Sequence, residues 1–286
     1  MTEVLESRGQ GSTFLELSSD SLAGNSLFLP SLVAQSAIAD YLDSETARID
    51  ALIERKQRMT ALVEERLLTC LDQLALPGDS LVPLRRYATV QGGVTVDAGR
   101  ATDRTVRRPY LRVANVQDGF LDLSEMAEIE VSIEVAARST LQPGDVLMTE
   151  ANGNSLNLGR GAVWMGEVSE CLHQNHVFAI RTNQRKLRPA FLSLMTQSSR
   201  GRSYFQLVSS QVGIATISKQ NVLDFPVPYI AVNEQDRRVS VAMRQSEQIQ
   251  AARKTLQRQS ALLREHRQAL ITAAVTGELD IPGVAA

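Results

Sequence analysis

The chain has 286 residues, 43% of them hydrophobic, and a net charge of −2, which allows a substantial core in one or two domains. No run approaches the roughly 18 uninterrupted apolar residues of a membrane helix, and the start MTEVLESRGQ lacks the segments of a secretory signal, so a cytoplasmic protein with no membrane partner is expected. Cys70 and Cys171 are isolated thiols with no CxxC or Cys/His cluster around them, and both are read as packing residues rather than disulfide or zinc partners.

In chain order, residues 1–34 are acidic, with one Lys+Arg and four Asp+Glu. Residues 35–76 then read as a helix, followed by a mixed segment over 79–227 and a second helix from 234 into the tail at 286. The two helical segments superpose without a gap at an offset of 200, with identical pairs Gln35/Gln235, Ile49/Ile249, Ala51/Ala251, Ala61/Ala261, Leu62/Leu262 and Glu65/Glu265. Apolar residues recur at heptad spacing, at Leu42, Ile49, Val63 and Cys70 in the first copy and Ala242, Ile249, Leu256, Leu263 and Leu270 in the second. Lys56 interrupts the first seam, and Leu52 and Met59 are placed at its companion position. With no Gly or Pro across about 35 residues, each copy predicts a rod roughly 50 Å long at about 1.5 Å per residue. Pro77-Gly78 is expected to end the first rod and Gly277, followed by Pro282, the second. An antiparallel coiled coil is the expectation; two amphipathic helices of an ordinary bundle are the plainer alternative.

Between the rods, β-rich runs (RPYLRVANV, AEIEVSI, DVLMTE, GAVWMG, HVFAIR, ATISK) alternate with NG, DG, PG and GR turns. PAFLSLMTQSSRGRSYF is the one helical pattern there. The fold class expected is therefore an α/β (α+β) globular domain inserted between two long helices.

Charge is distributed more tellingly than its sum. Residues 79–227 hold 16 Lys+Arg against 14 Asp+Glu, and Cys171 to Leu223 contains no acid at all. Arg181, Arg185, Lys186, Arg188, Arg200, Arg202 and Lys219 stand in that window without local counter-charges, and a polyanion would relieve their repulsion. A second run, Arg100, Arg104, Arg107, Arg108 and Arg112, is opposed by Asp103 alone; it suits phosphate or guanine-edge contact, or equally a solvated face with Arg stems on a sheet. GDVLMTEANGNSLNLGR puts Asn152, Gly153, Asn154 and Arg160 in a loop where small residues allow a ligand to approach the backbone, or in a long structural turn. His173 and His176 of HQNH fall on opposite faces if the segment is a strand, and no carboxylate or thiolate completes a metal site. Trp164 and the sparse Phe and Tyr residues read as core rather than as a stacking platform.

Four blocks of the middle domain carry a resemblance: Tyr110 to Glu125, Leu141 to Arg160, Cys171 to Arg181 and Gly213 to Pro228 resemble successive blocks of the target-recognition domain of type I restriction-modification specificity subunits. ADYLDSETARIDALIERKQRMTALVEER and LLREHRQALITAAVTGELDI are similar to the helical repeats that join such domains. The family alternates recognition domain and helix twice, whereas GSTFLELSSDSLAGNSLFLPSL resembles only the tail of a first recognition domain. The resemblance implies sequence-specific recognition of double-stranded DNA by residues 79–227, with Arg100, Arg104, Arg107, Arg108, Arg112, Asn152, Asn154, Arg160, Arg200, Arg202 and Lys219 as candidate DNA contacts. The heptad spacing, for its part, has the helices pair through Leu42, Ile49, Val63, Ile249, Leu256, Leu263 and Leu270. The resemblance also implies modification (methyltransferase) subunits and a restriction (translocase and nuclease) subunit as partners, with a homodimer or a second half-subunit restoring a second reading head. No nucleophile arrangement, cofactor-binding glycine motif or nuclease carboxylate spacing stands in the chain; DFPVPY only echoes the methyltransferase motif. The chain is therefore read as a non-catalytic subunit with no cofactor and no metal. The alternative is a coiled-coil scaffold or assembly protein whose middle domain binds protein, and the acid-free window opposes a DNA-mimicking version of it.

Overall fold

The structure, a computed structural model, describes residues 18–24, 29–75, 80–95, 104–154, 157–210 and 214–284. In chain order its elements are α1 (Ser19–Ala23), α2 (Leu32–Leu74), β1 (Leu81–Pro83), β2 (Ala88–Gly92), β3 (Thr105–Leu111), β4 (Ala127–Ser132), α3 (Ile133–Ser139), β5 (Val146–Thr149), β6 (Ala151–Asn152), β7 (Gly161–Val163), β8 (Leu172–His173), β9 (Val177–Thr182), α4 (Pro189–Gln197), α5 (Ser199–Val208), β10 (Ala215–Thr216), α6 (Lys219–Leu223), β11 (Pro226–Pro228) and α7 (Val232–Thr276). The fold is α+β, with its strands between two long helices, as expected. Contacts divide it into two units, Met1–Gln57 with Arg258–Ala286, and Arg58–Gln257.

The first unit contains the opening part of α2 and the closing part of α7. Ile49, Ala34, Ala274 and Ile281 are buried, with Leu42, Leu263 and Leu270 half-buried beside the same seam. Arg267 meets Asp50 at 2.9 Å, while Gly283, past the end of α7, lies against Ala37. Later residues of one helix thus face earlier residues of the other, which is antiparallel pairing. Gly277 ends α7 in the left-handed region (φ +76), where a side chain would be strained.

The second unit contains the remainder of both helices and all the strands. Its helical segments also run antiparallel: Glu64 pairs with Arg253 at 3.2 Å, and Arg238 Nη1 donates to Leu74 O at 3.2 Å. Ala242, Ile249 and Leu256 are buried and Val63 is half-buried. The companion row on α2 differs from the one expected: Leu52 and Met59 are 40% and 41% exposed, and Ile53, Thr60, Leu67 and Leu74 fill it. A seam can step by three or four residues from Ile49. The four-residue row wins because it carries Ile53, Leu67 and Leu74, whereas the three-residue row leads to Arg66 and Gln73.

The strands form a four-stranded antiparallel sheet, β2-β9-β5-β7, and a three-stranded sheet, β4-β3-β8, in which β3 and β8 are parallel. Two short pairs, β1-β11 and β6-β10, complete the described pairing. Alternation decides the packing. Val146, Met148, Phe178 and Ile180 face a core with Phe191, Phe205 and Phe225, while Leu147, Val177 and Ala179 face a second one around Trp164, Leu111 and Cys171. A third cluster joins Val131, Ile129 and Tyr110 to Ala136 of α3. The segment expected as one helix is two, α4 and α5. Ser198 between them is extended (φ −66, ψ 157) and its hydroxyl caps α5 by accepting from Gly201 N at 3.2 Å.

The repeat recurs as a hydrogen bond. Gln35 Nε2 donates to Pro30 O at 2.8 Å, and Gln235 Nε2 donates to Ile230 O at 3.1 Å, five residues back in each case. Gln35 is exposed, whereas Gln235 is buried, accepts from Arg188 N at 2.8 Å and donates to Lys186 O at 2.8 Å. Gln235→Ala takes the partner from two part-buried main-chain groups, Arg188 N and Lys186 O, and is expected to lower stability by about 2 kcal/mol in urea unfolding, against less than about 1 kcal/mol for Gln35→Ala. Equal losses would show that the burial difference has no energetic consequence.

Candidate nucleic-acid interface

The candidate cations fall into two groups. On β3, Arg107 pairs with Glu128 on the neighbouring strand β4 at 2.7 Å, and Arg108 pairs with Glu170 at 2.7 Å. Arg104 is exposed and forms no ion pair with a described residue; Arg112, also exposed, donates to Glu125 O at 3.5 Å. Arg100 lies outside the described residues.

The acid-free window finds its acids elsewhere in the chain. Arg181 grips the buried Asp145 with two hydrogen bonds of 2.8 and 2.7 Å, Arg188 grips Asp236 at 2.9 and 3.0 Å, and Arg202 pairs with Asp118. Expecting these three to stand unpaired was therefore wrong in space, though right along the sequence: the partners lie 36, 48 and 84 residues away. Arg160 belongs to the same network as Arg202. It donates to Gln117 Oε1 at 3.0 Å and to Asn157 Oδ1, and burial raises the Asp118 pKa while Arg202 and Arg160 act against that rise. Arg185, Lys186, Arg200 and Lys219 are exposed and form no ion pair with a described residue, although Lys186 stands 5.9 Å from the Tyr87 ring centroid.

The asparagine loop is built by its own side chains. Asn152 Oδ1 accepts from Asn154 N at 3.0 Å and from Asn157 Nδ2 at 3.4 Å, and Asn152 pairs with Ala215 on β10. Gly153 and Asn154 are exposed, and a Cβ at Gly153 would meet nothing within 4 Å. The loop thus presents open backbone just across from the strand that leads to Lys219. Sequence inspection did not single out Arg138, an exposed cation at the end of α3; with Glu134 one turn earlier, it looks like any helix-surface residue.

HQNH is a turn rather than a continuous strand, since β8 ends at His173 and β9 begins at Val177. His173 is buried, its Nδ1–H donates to Val177 O at 2.7 Å, and its Nε2 has no partner among the described residues. Burial lowers its pKa and holds it neutral. His176 is half exposed and sits 3.6 Å from Glu150. No group of three His, Cys, Asp or Glu that could hold a metal occurs among the described residues. Cys171 is buried with its thiol pushed up to about 12, which suits packing rather than reactivity. Trp164 is core, as expected. No helix among the described residues is long and apolar enough to cross a membrane.

Comparison with known proteins adds to this geometry. The type I restriction enzyme StySPI specificity subunit of Salmonella potsdam is 24% identical over 270 residues, 88% of this chain and 57% of its own length. The EcoKI specificity subunit of Escherichia coli (strain K12) is 24% identical over 276 residues, again 88% and 57%. Among solved structures, the HsdS subunit from Thermoanaerobacter tengcongensis aligns with a TM-score of 0.57 at 17% identity, covering 97% of this chain and 67% of that one. A chain from a structure of type I R-M system assembly and conformational transition aligns with a TM-score of 0.70 at 17% identity, covering 97% and 68%. The fold is that of a type I specificity subunit. No family model matches the chain, and it spans little more than half the length of the curated specificity subunits it matches. The expected resemblance to type I specificity subunits is borne out.

Within this specificity-subunit fold the two groups of arginines should separate in stability. Arg181→Ala leaves the buried Asp145 carboxylate unpaired and is expected to cost about 3 kcal/mol in thermal or urea unfolding. Arg107→Ala breaks an exposed pair and should cost less than about 1 kcal/mol. An Arg181 variant as stable as the Arg107 variant would remove the structural role given to that pair.

Proposed function

We propose that the chain is a sequence-reading, non-catalytic component of a type I restriction-modification assembly. Residues 79–227 read double-stranded DNA, and the helices at 35–76 and 234–286 act as spacer and docking surfaces. Residues 1–34 resemble the tail of a preceding recognition domain. The observation that carries this reading is the agreement of fold with specificity subunits over 97% of the chain. The DNA contacts come first from exposed cations that form no ion pair with a described residue, Arg104, Arg112, Arg200 and Lys219, and from the Asn152–Asn154 turn. Arg107, Arg108, Arg160 and Arg202 would have to leave an acid or amide partner to reach a phosphate, so they support the surface more than they grip DNA. Selection from randomised duplexes with the purified chain, alone and with its modification subunit, should enrich one short motif. Enrichment of none would defeat the reading in favour of a protein-binding scaffold.

The repeat supports the partner assignment. Ile49/Ile249 are buried in the seam, but Leu62 and Leu262 are 63% and 53% exposed, with Ala51, Ala251, Ala61 and Ala261 also exposed. Pairing between the two helices explains the isoleucines and leaves the outward leucines unexplained. They provide equivalent apolar contacts for modification subunits, with a restriction subunit recruited to that complex. The exposed start of α2 around Leu32, Val33 and Gln35, matched in α7 by a start seated on the domain through Gln235, receives a second recognition domain from another copy or half-subunit. Leu62→Glu and Leu262→Glu are each expected to reduce co-elution with the modification subunit while leaving the selected motif intact. Light scattering should show the wild-type complex holding more than one reading chain; a single reading chain at every concentration would remove the second domain from the proposal.

A further inference from the structure

Beyond the end of β2 a cleft of about 400 Å³ opens between that strand, the end of α3 and the start of α6. Gly92, Gly93, Thr95, Arg138, Ser139 and Lys219 line it. Its walls are tied together: Gln91 Nε2 donates to Arg138 O at 2.5 Å, and Val94 N donates to His173 O at 2.7 Å. The two cations come from parts of the sequence more than 80 residues apart and neither forms an ion pair with a described residue. Glu150 acts on Lys219 and stands 3.6 Å from His176, and no acidic residue is among those lining the cleft.

The two glycines at the floor differ. A Cβ on Gly93 would lie 2.2 Å from the main-chain oxygens of His173 and Gln174, so the fold itself demands glycine there. A Cβ on Gly92 would meet only the far end of Lys219, at 3.3 Å. Folding therefore does not require glycine at 92, and glycine within a strand weakens it unless something approaches the backbone closely. No aromatic ring is among the lining residues, so the cleft offers a base nothing to stack on. Two cations over a bare backbone floor match a compact anion with little else to recognise.

We propose that this cleft seats one backbone phosphate of the DNA duplex, held jointly by Lys219 and Arg138, with Gly92 allowing close approach. The assignment rests on the reading that the chain binds duplex DNA. It adds Arg138 to the binding surface and gives Lys219 a partner in space that the sequence did not show.

The test uses the full-length chain and measures anisotropy of two duplexes, one bearing the selected motif and one unrelated, over about 50–200 mM salt. Lys219→Ala and Arg138→Ala are each expected to weaken both duplexes roughly tenfold, as loss of a charge-assisted contact would. The double variant should lower the slope of log affinity against log salt by about 0.9 and no more, because a single phosphate is released. Gly92→Val, with both cations retained, should reproduce the loss while melting with the wild type. A double variant whose slope falls by about twice that amount would mean two separate phosphates and overturn the shared site. Slopes unchanged in all variants, with wild-type duplex binding intact, would overturn the cleft and leave the DNA-reading assignment standing. Failure of the wild-type chain to bind any duplex would overturn both. Calorimetric binding of inorganic phosphate that needs Lys219, with duplex affinity unaffected by Lys219→Ala, would assign the cleft to a free anion instead.

Discussion

The middle of the molecule depends on burying β9 and β5 on both faces. Each strand sends alternate side chains into different cores, Phe178 and Ile180 to one side and Val177 and Ala179 to the other, so a slip of one residue in the β5–β9 register would exchange both faces at once. Arg181 closes the end of this pair by chelating Asp145, which sits next to the first residue of β5. Everything near the proposed reading edge hangs from that double-faced pair. β2 is hydrogen-bonded to β9 and leads into the Gly92–Gly93 floor, the turn before β9 carries His173 and His176, and β5 runs through Glu150 into the asparagine loop.

Much of this was legible in the sequence because it rests on periodicity. The long helices, their buried Ile49 and Ile249, and the strands at HVFAIR and DVLMTE follow from spacing of apolar residues, which the backbone geometry enforces locally. Where two spacings were both available, local reading failed. Ile49 can be followed by Leu52 or Ile53 in a helix seam, and only the residues further along decide between them. The same limit explains the break at Ser198: its hydroxyl competes with the helix by capping the next one, and nothing in the apolar pattern of PAFLSLMTQSSRGRSYF marks that.

Electrostatics was the less legible part, for a related reason. An acid-free window is a statement about neighbours along the chain, whereas Coulomb attraction acts through space. Asp118, Asp145 and Asp236 reach Arg202, Arg181 and Arg188 because the strands and helices bring them there. What remains after those pairings is a smaller set of cations, and Arg138 joins it only once the end of α3 is strapped to β2. A charge map for such a protein is better drawn by subtracting tertiary ion pairs than by counting residues in a window.

The joint between the middle domain and α7 has a property of its own. Gln235 addresses only peptide groups, the N–H of residue 188 and the carbonyls of residues 186 and 230. Those amide contacts are indifferent to the side chains at 186 and 188, whereas the Arg188–Asp236 pair beside them depends on an arginine at 188. The amide thus works as a coupling of fixed gauge. It lets the residue at 186 drift while the backbone turn stays attached to the helix, and it is the neighbouring ion pair that reads the residue at 188.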